Sequence, residues 1–318
     1  MAAYLVTGGA GFIGSHAVRR LVAQGEKVIV VDNFLTGSRD NLADVIESIE
    51  LVEGDIRDAD LMRETMKNVN YCLHQAALPS VPRSIEDPAT ANDINATGTL
   101  NVLLAARDAG VDRFVYASSS SVYGDSTALP KREDMTPHPL SPYAVNKLTG
   151  EYYARVFHSL YGVPTVCLRY FNVFGPGQRP DSPYAAVVPI FISAMMDAKP
   201  ATIHGDGEQS RDFCHVDNAV TANMLACSAP AQQVAGGVFN IACGERHTIN
   251  ELVDNLNRIL GREIKPIHTR PREGDVRDSM ADITLARNGL GYEPSVNFAE
   301  GLRHTVKWFQ QKRSRADA

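Results

Sequence analysis

The 318-residue chain predicts an α/β protein: a doubly wound parallel sheet (Rossmann-like) followed by a smaller C-terminal α/β domain. Up to about residue 170, short apolar runs alternate with segments whose apolar residues recur at helical spacing. Such alternation is typical of a parallel sheet covered by helices on both faces. A glycine-rich turn joins the first run to the first helical segment. Beyond residue 171, proline and glycine punctuate shorter elements, which predicts a different architecture there.

The composition excludes several classes of protein. Hydrophobic residues make up 44% and charged residues 21%, which is ordinary for a globular protein, and the net charge of −6 argues against a dedicated nucleic-acid binder. Five cysteines and nine histidines show no metal-ligand spacing, so we expect buried free thiols and no metal. We find no apolar run long enough for a membrane span and no signal segment before the first strand, which favours a cytoplasmic setting.

The first strand, residues 3–7, leads into Gly8-Gly9-Ala10-Gly11-Phe12-Ile13-Gly14 and a helix over 15–23. Glycines at positions 8, 11 and 14 would permit a tight turn and close approach of a pyrophosphate to the helix N-terminus. The second strand, 27–31, ends on Asp32, whose carboxylate can accept hydrogen bonds from both hydroxyls of an adenosine ribose. Because it would also repel a 2′-phosphate, Asp32 favours NAD over NADP. The alternative is a purely structural glycine turn.

The next two strands carry further candidates for a nucleotide site. Strand 50–53 precedes Asp55 and Ile56, which we expect to flank an adenine, and a helix over 58–67 follows. Strand 71–74 runs into Ala76 and Ala77, whose small side chains would leave room for a cofactor at the carboxyl edge of the sheet. Tight packing is the alternative explanation for the two alanines. A long helix over 89–109 precedes the next strand.

Strand 113–118 ends in a run of serines, Ser118 to Ser121, whose hydroxyls could bind a substrate alcohol. A helix then opens at Ser141, with Tyr143 and Lys147 four residues apart and therefore on one helix face. A free tyrosine has a pKa near ~10, and a nearby positive charge favours the phenolate. The pair therefore predicts a general base for the proton of an alcohol. The alternatives are a serine-rich loop and a chance pair on an exposed helix.

The remaining elements are a strand over 165–169, a helix starting near 187, a helix over 216–226 that returns to the first domain, a strand over 238–242 and an amphipathic helix over 249–260. Two arginines stand out in polar loops, Arg211 and Arg272. Both could grip a diphosphate through forked hydrogen bonds. Solvated surface charge is the alternative.

Taken in order, the glycine turn, Asp32, 54–56, 118–123, Tyr143-x-x-x-Lys147 and 169–172 resemble the extended short-chain dehydrogenase/reductase family, in particular its nucleotide-sugar 4-epimerases. The similarity covers nearly the whole chain, including Arg211-Asp212 and 272–275. It implies an isomerase that uses NAD to epimerise C4 of a UDP-hexose through a 4-keto intermediate. Tyr143 would take the C4 hydroxyl proton, Ser119 would hydrogen-bond the same oxygen, and Lys147 would bind the nicotinamide ribose and lower the pKa of the phenol.

The resemblance also assigns the remaining site residues and the organisation. It implies an NAD-binding domain over 1–171 with a return segment near 215–237, a UDP-sugar-binding domain over 172–318, and a homodimer formed through helices 89–109 and 142–161. It adds Asn33, Asn95 and Tyr170 to the cofactor site. It implies substrate contacts from Ser80, Ser119, Ser120, Ser121, Tyr143, Asn172, Val188, His204, Arg211, Arg272, Asp275 and Ser279.

Substrate choice is expected to depend on Ser279, four residues past Asp275. In the family a tyrosine there restricts the pocket to UDP-glucose and UDP-galactose, whereas a small residue leaves room for an N-acetyl group. We therefore expect UDP-N-acetylglucosamine and UDP-N-acetylgalactosamine, with the non-acetylated pair also possible. The absence of an acid just after Ser119 disfavours dehydration and decarboxylation. Many galactose-type epimerases have a lysine in segment 78–80, and this chain has none.

Two other functions stay open at this point. One is a UDP-glucuronate 4-epimerase, in which Arg179 or Ser80 would meet the C6 carboxylate. The other is a non-catalytic NAD-binding sensor on the same fold. The intact Tyr143 and Lys147 pair argues against the sensor.

Overall fold

The computed structural model describes residues 1–180, 186–271 and 276–316. Its centre is a seven-stranded sheet in which every neighbouring pair is parallel. In the order β11-β6-β5-β4-β1-β2-β3, its strands are Gly237–Ile241, Thr165–Tyr170, Arg113–Ser119, Tyr71–His74, Ala3–Thr7, Lys27–Asp32 and Glu50–Glu53. This confirms the predicted α/β fold class, and each predicted strand lies within one residue of its observed bounds.

Helices cover both faces of the sheet, because these strands carry apolar side chains in continuous runs. In the described ranges the α-helices are α1 (Phe12–Ala23), α2 (Ala59–Thr65), α3 (Val81–Glu86), α4 (Pro88–Asn92), α5 (Gly98–Ala109), α6 (Pro142–Tyr161), α7 (Val187–Met196), α8 (Val216–Ser228), α9 (Ala231–Val234), α10 (Ile249–Leu260), α11 (Thr284–Leu290) and α12 (Phe298–Ala316). One core cluster joins a face of the sheet to α1, α8 and α11, and a second joins the opposite face to α2, α5 and α6.

The segment predicted as one helix over 89–109 consists of α4, a π-helical stretch from Asp93 to Thr97, and α5. Asn95 lies within the wider stretch, and its side-chain oxygen accepts a hydrogen bond from the backbone N–H of Leu78 at 2.7 Å. A π-helical turn requires such local support because its own hydrogen bonding is less regular than that of an α-helix. The spacing of apolar residues along the segment could not predict this π-helical stretch, because the Asn95–Leu78 contact lies outside the helix.

Helix α6 begins as the sequence predicts. The Ser141 hydroxyl accepts a hydrogen bond from the N–H of Ala144, Pro142 occupies the first turn, and Gly162 ends the helix with a positive φ of 71°. These are ordinary start and stop signals. They fix the position of Tyr143 in the first turn of the helix.

The chain returns to the large sheet after residue 215. Helix α8 packs against α1, and strand β11 pairs with β6 at the edge of the sheet. The returning segment therefore extends through Ile241, beyond the expected limit near residue 237.

A third core cluster lies outside the sheet and joins α7, α10 and α12. Three two-stranded pairs accompany it, formed by β7 (Val173–Phe174), β8 (Thr202–His204), β9 (Ser210–Arg211), β10 (Cys214–His215), β12 (His247–Thr248) and β13 (Ile267–Thr269). In the described ranges no helix is long and apolar enough to cross a membrane.

Candidate active site

A cavity of about 560 Å³ lies at the carboxyl ends of β1, β2, β4, β5 and β6, where parallel sheets bind their ligands. Most of the residues predicted for the cofactor line it: Gly8, Gly11, Phe12, Ile13, Gly14, Asp32, Asn33, Asp55, Ile56, Ala76, Ala77, Tyr143, Lys147 and Tyr170. The fold therefore brings together residues that are as far apart as 8 and 170 in the chain.

The glycine turn leaves no space for side chains at two positions. A Cβ on Gly14 would lie 2.2 Å from the carbonyl oxygen of Gly8, and a Cβ on Gly8 would lie 2.7 Å from the Ala76 backbone. Gly8 also has a φ of +69°, which favours glycine. No side chain caps the start of α1, so its first backbone N–H groups are left for an anionic ligand.

Asp32 is buried at the end of β2 and accepts hydrogen bonds from the N–H of Ala10 at 2.9 Å and of Phe34 at 2.8 Å. Burial raises the pKa of Asp32, and these two hydrogen bonds act in the opposite direction. The two bonds fall on different carboxylate oxygens, so each oxygen keeps acceptor capacity for a ribose hydroxyl.

Asp55 is held by its neighbours before any ligand binds. Its carboxylate accepts hydrogen bonds from the Arg57 guanidinium at 2.9 and 3.0 Å and from the Asn33 amide at 2.8 Å. The Arg57 hydrogen bonds are the main cause that lowers the pKa of Asp55 to about 2. Asp55 is therefore a fixed anion at the adenosine end of the cavity.

The phenol of Tyr143 is close to Ser119 at the other end of the cavity. Burial raises the pKa of Tyr143, and the hydrogen bond with the Ser119 side chain opposes that rise. The backbone N–H of Tyr143 donates to the Ser84 hydroxyl at 3.0 Å, which ties the start of α6 to α3. The Ser119 side chain thus lies beside the phenol, although the lining of the large cavity includes its neighbour Ser118 and not Ser119.

Lys147 is 3% exposed, and its Nζ donates to the carbonyl oxygen of Ala117 at 2.8 Å. Burial lowers the pKa of Lys147 to about 7. The expected lowering of the phenol pKa by Lys147 is not what this structure shows, since burial dominates and Ser119 supplies the opposing interaction. The sequence argument omitted the cost of burying both groups.

Tyr170 closes the cavity on the side of β6. Its hydroxyl accepts a hydrogen bond from the Asn223 amide at 2.7 Å and lies 3.2 Å from the Gln75 amide nitrogen. Asn223 belongs to α8, so the returning segment helps to orient a residue of the site. Gln75 also lines the cavity, although the sequence analysis gave it no role.

Several predicted residues do not line this cavity. The Asn95 amide is occupied by the Leu78 backbone, and the Ser80 hydroxyl accepts from the Arg83 N–H as the cap of α3. The Val188 side chain is buried in the third core cluster, and Asn172 is exposed with a φ of 26°. Ser120 and Ser121 belong to the 3-10 turn Ser120–Tyr123, whose Ser121 N–H donates to Ser119.

A second cavity, of about 480 Å³, is lined by His204, Gly205, Asp206, Gln209, His268, Thr269, Pro271 and Arg277. The Arg211 guanidinium lies close to this region, where it donates to the carbonyl oxygens of Ser210 at 2.9 Å and Arg277 at 3.0 Å. Ser279 is nearly buried, and its N–H donates to the same Ser210 carbonyl at 3.1 Å. Arg272 and Asp275 lie outside the described residues.

Arg83 is a cavity residue that sequence reasoning missed. It is half-buried on α3 and lines the large cavity together with Pro79 and Arg179. Among the residues with described positions, none forms a hydrogen bond or ion pair with its guanidinium. The sequence did contain a signal for Arg83. It lies in the first turn of α3, the helix that follows β4, and such a helix starts at the carboxyl edge of the sheet, where ligands bind.

These features together fit a dinucleotide such as NAD. The glycine cradle and the uncapped start of α1 suit a diphosphate, Asp32 suits ribose hydroxyls without a 2′-phosphate, and Asp55 and Ile56 suit an adenine. Tyr143 and Lys147 lie at the opposite end, where the nicotinamide would meet a substrate. Within the described part of the chain, no group of histidine, cysteine and acidic residues could hold a metal ion.

The family model for the NAD dependent epimerase/dehydratase family matches residues 4–242. Among curated proteins, UDP-glucose 4-epimerase of Mycolicibacterium smegmatis is 40% identical over 97% of this chain and 98% of its own length.

Two solved structures have the same fold over almost the whole length of both chains. UDP-N-acetylglucosamine 4-epimerase from Methanobrevibacter ruminantium, in complex with UDP-N-acetylmuramic acid, is 40% identical, with a TM-score of 0.93 and coverage of 98% of this chain and 99% of its own. UDP-glucuronic acid 4-epimerase from Bacillus cereus, in complex with UDP-glucuronic acid and NAD, is 32% identical, with a TM-score of 0.89 and the same coverage. These relatives share 4-epimerisation but differ in the sugar.

Proposed function

Because this chain belongs to the NAD dependent epimerase/dehydratase family and is a UDP-sugar 4-epimerase, we propose that it interconverts UDP-N-acetylglucosamine and UDP-N-acetylgalactosamine. The observation that carries this proposal is Ser279. Its small side chain is nearly buried beside Ser210 and Arg211, where the family resemblance places the wall of the pocket near the sugar C2 substituent. A small residue at that wall leaves volume for an acetamido group.

The proposed reaction assigns one task to each catalytic residue. Tyr143, as the phenolate, accepts the proton of the C4 hydroxyl and later returns it to the 4-keto oxygen. Ser119 hydrogen-bonds the same oxygen and stabilises the phenolate that it contacts. Lys147 contributes a buried positive charge, and its side chain is fixed by the hydrogen bond to the carbonyl oxygen of Ala117. Bound NAD supplies a reversible hydride acceptor, so the reaction needs no external oxidant or reductant.

Arg83 is assigned to the cofactor diphosphate. The cavity would receive an anionic ligand, and the Arg83 guanidinium, which forms no hydrogen bond or ion pair within the described residues, can form forked, charge-assisted hydrogen bonds with phosphate oxygens. It would compensate for the lysine that segment 78–80 lacks. Asp32, Asp55 and the glycine turn hold the adenosine part.

A UDP-glucuronate 4-epimerase is the second candidate. Arg179 lines the large cavity and could meet a C6 carboxylate, and the Bacillus cereus relative acts on that class of sugar. Ser80 is a weaker partner for a carboxylate because its hydroxyl already caps α3.

Replacing Ser279 by tyrosine tests the assignment of the acetamido sugar. We expect Ser279→Tyr to lower kcat/KM on UDP-N-acetylglucosamine by at least about tenfold and to spare UDP-glucose, because a phenol would fill the space of the acetamido group. Initial rates on both sugars measure this. Ser48→Tyr, at an exposed position that lines neither cavity, is the matched control. Equal losses on the two sugars would contradict the proposed role of Ser279.

A further inference from the structure

Glu151 is a buried carboxylate in α6 to which the proposed reaction gives no role. Its side chain is 3% exposed and forms two parallel hydrogen bonds with the Arg169 guanidinium, at 2.8 and 2.7 Å. The Ser118 hydroxyl donates to the same carboxylate. Glu151 therefore joins three elements at one point: its own helix α6, the end of β5 and the end of β6.

Glu151 and Lys147 form hydrogen bonds with two adjacent residues of β5. Lys147 donates to the carbonyl oxygen of Ala117, and Glu151 accepts from the hydroxyl of Ser118, the next residue. The two side chains lie one turn apart on the same face of α6. Ser119, which contacts the catalytic phenol, follows directly. The pair thus forms a two-point attachment between α6 and the strand end that carries Ser119.

The charge of Glu151 matters because the surroundings of Lys147 otherwise disfavour an ammonium. Burial lowers the pKa of Lys147, and the negative charge of Glu151 opposes that effect. Of the other groups facing Lys147, His74 from β4 is neutral, because burial lowers its pKa to about 3. Tyr116 from β5 and Tyr143 have raised pKa values and are neutral at pH 7 in the free protein.

Stability alone is a weak explanation for this ion pair. The desolvation of two buried charges offsets most of their attraction, so apolar residues of similar volume are often as stabilising. One guanidinium nitrogen of Arg169, Nη1, is buried without a hydrogen-bond partner within the part of the chain that the structure describes. The Glu151–Arg169 ion pair therefore still carries the desolvation cost of this buried nitrogen.

We propose that Glu151 is a positioning residue that acts through Lys147: it keeps the buried ammonium charged and fixes Lys147 against the strand end at residues 117–119. Arg169 and Ser118 in turn hold the Glu151 carboxylate. The proposal rests on the 4-epimerase activity, since charged Lys147 is the form that the proposed reaction uses. It adds a residue that touches neither substrate nor cofactor.

The test removes the charge of Glu151 and measures the pH at which Lys147 loses its proton. Glu151→Gln preserves size but leaves Arg169 unpaired, so Glu151→Gln combined with Arg169→Met is the second variant, in which no unpaired guanidinium is left at this site. Thermal unfolding identifies the folded variants. Two readouts follow: the pH at which the rise of kcat with pH levels off, and the NMR titration of ¹³C-labelled Lys147, assigned with Lys147→Arg.

We expect both readouts to move to lower pH by about one unit, a tenfold change in proton affinity, in each folded variant. Glu151→Asp should restore the wild-type titration because it keeps the charge. Glu64→Gln, an exposed residue of α2, should change nothing. Unchanged titration of Lys147 in a folded charge-free variant would overturn the proposal. If wild-type protein converts no UDP-sugar, the proposed function fails, and the NMR titration still decides the role of Glu151.

Discussion

The ionisation of Tyr143 sets the residue-scale chemistry. In the free protein, burial keeps the phenol protonated, while Ser119 favours the phenolate. The phenol must lose its proton to act as a base, so activity is expected to rise with pH and to level off where Lys147 begins to deprotonate. Tyr143 and Lys147 are therefore not sufficient as a pair, because ionisation of the phenol also depends on the Ser119 hydroxyl at the end of β5.

Removing the phenol oxygen should abolish most turnover. We expect Tyr143→Phe to lower kcat by about 10²–10⁴-fold, the usual contribution of a positioned acid–base group, with little change in NAD binding. Turnover assays and fluorescence titration with NAD measure the two effects. A non-catalytic sensor would instead show no turnover in either protein, and an active Tyr143→Phe variant would contradict the role of the phenol.

Arg83 gives a second residue-scale prediction. Arg83→Gln should weaken NAD binding by about tenfold or more, because a hydrogen bond to a charged partner contributes about 1.5–3 kcal/mol. Calorimetric titration of the cofactor-free protein measures this directly. Arg63→Gln, which removes the same charge from an exposed ion pair on α2, is the control. A raised KM for the UDP-sugar with unchanged NAD affinity would place Arg83 on the substrate instead.

At the scale of elements, the predictable features are those that local sequence determines. Strands β1, β2, β4, β5 and β6 are largely buried runs, and α6 starts and ends at standard capping residues. The π-helical stretch depends on a hydrogen bond between Asn95 and Leu78, which are 17 residues apart. The core position of Val188 likewise depends on the packing of α7 against α10 and α12. Periodicity cannot reveal contacts of that kind.

Helix α6 also carries the prediction about assembly. Its outer face exposes Val145, Tyr152, Val156 and Leu160, spaced so that they form one apolar stripe. We propose that this stripe, together with the 89–109 segment, forms a homodimer interface. Tyr152→Glu combined with Val156→Glu should convert a dimer to a monomer in sedimentation equilibrium, because two charges per chain would be buried. Lys67→Glu, at an exposed position just after α2, is the control, and a persisting dimer would contradict the proposed interface.

At the scale of the molecule, cofactor and substrate sites differed in how far sequence could predict them. The cofactor cavity is built from turns that directly follow consecutive strands, so one pattern located most of its lining. The region around Arg211 and Ser279 joins segments nearly 70 residues apart through backbone hydrogen bonds to Ser210. Only the family resemblance could connect those two positions before the structure did.

The buried His74 makes stability depend on pH. It hydrogen-bonds Thr7 at 2.7 Å and Thr99 at 2.9 Å, and burial lowers its pKa to about 3. The unfolded chain, with a histidine pKa near ~6.5, therefore binds more protons below that pH, and stability falls as pH decreases. Asp212, whose pKa burial raises to about 6, acts in the opposite sense.

Comparison with His74→Gln isolates the histidine, since Asp212 is common to both proteins. Relative to that variant, the wild-type unfolding free energy should decrease by about 2 kcal/mol between pH 7 and pH 5. Urea unfolding at several pH values measures the difference. Parallel pH profiles for the two proteins would show that His74 is not buried in its neutral form.

The central claim is 4-epimerisation of acetamido UDP-sugars, and product analysis tests it most directly. The purified protein is incubated separately with UDP-N-acetylglucosamine, UDP-glucose and UDP-glucuronate, and the epimers are separated and quantified. We predict that UDP-N-acetylglucosamine is converted to UDP-N-acetylgalactosamine until equilibrium without added oxidant or reductant. Conversion of UDP-glucose or UDP-glucuronate alone would contradict the account.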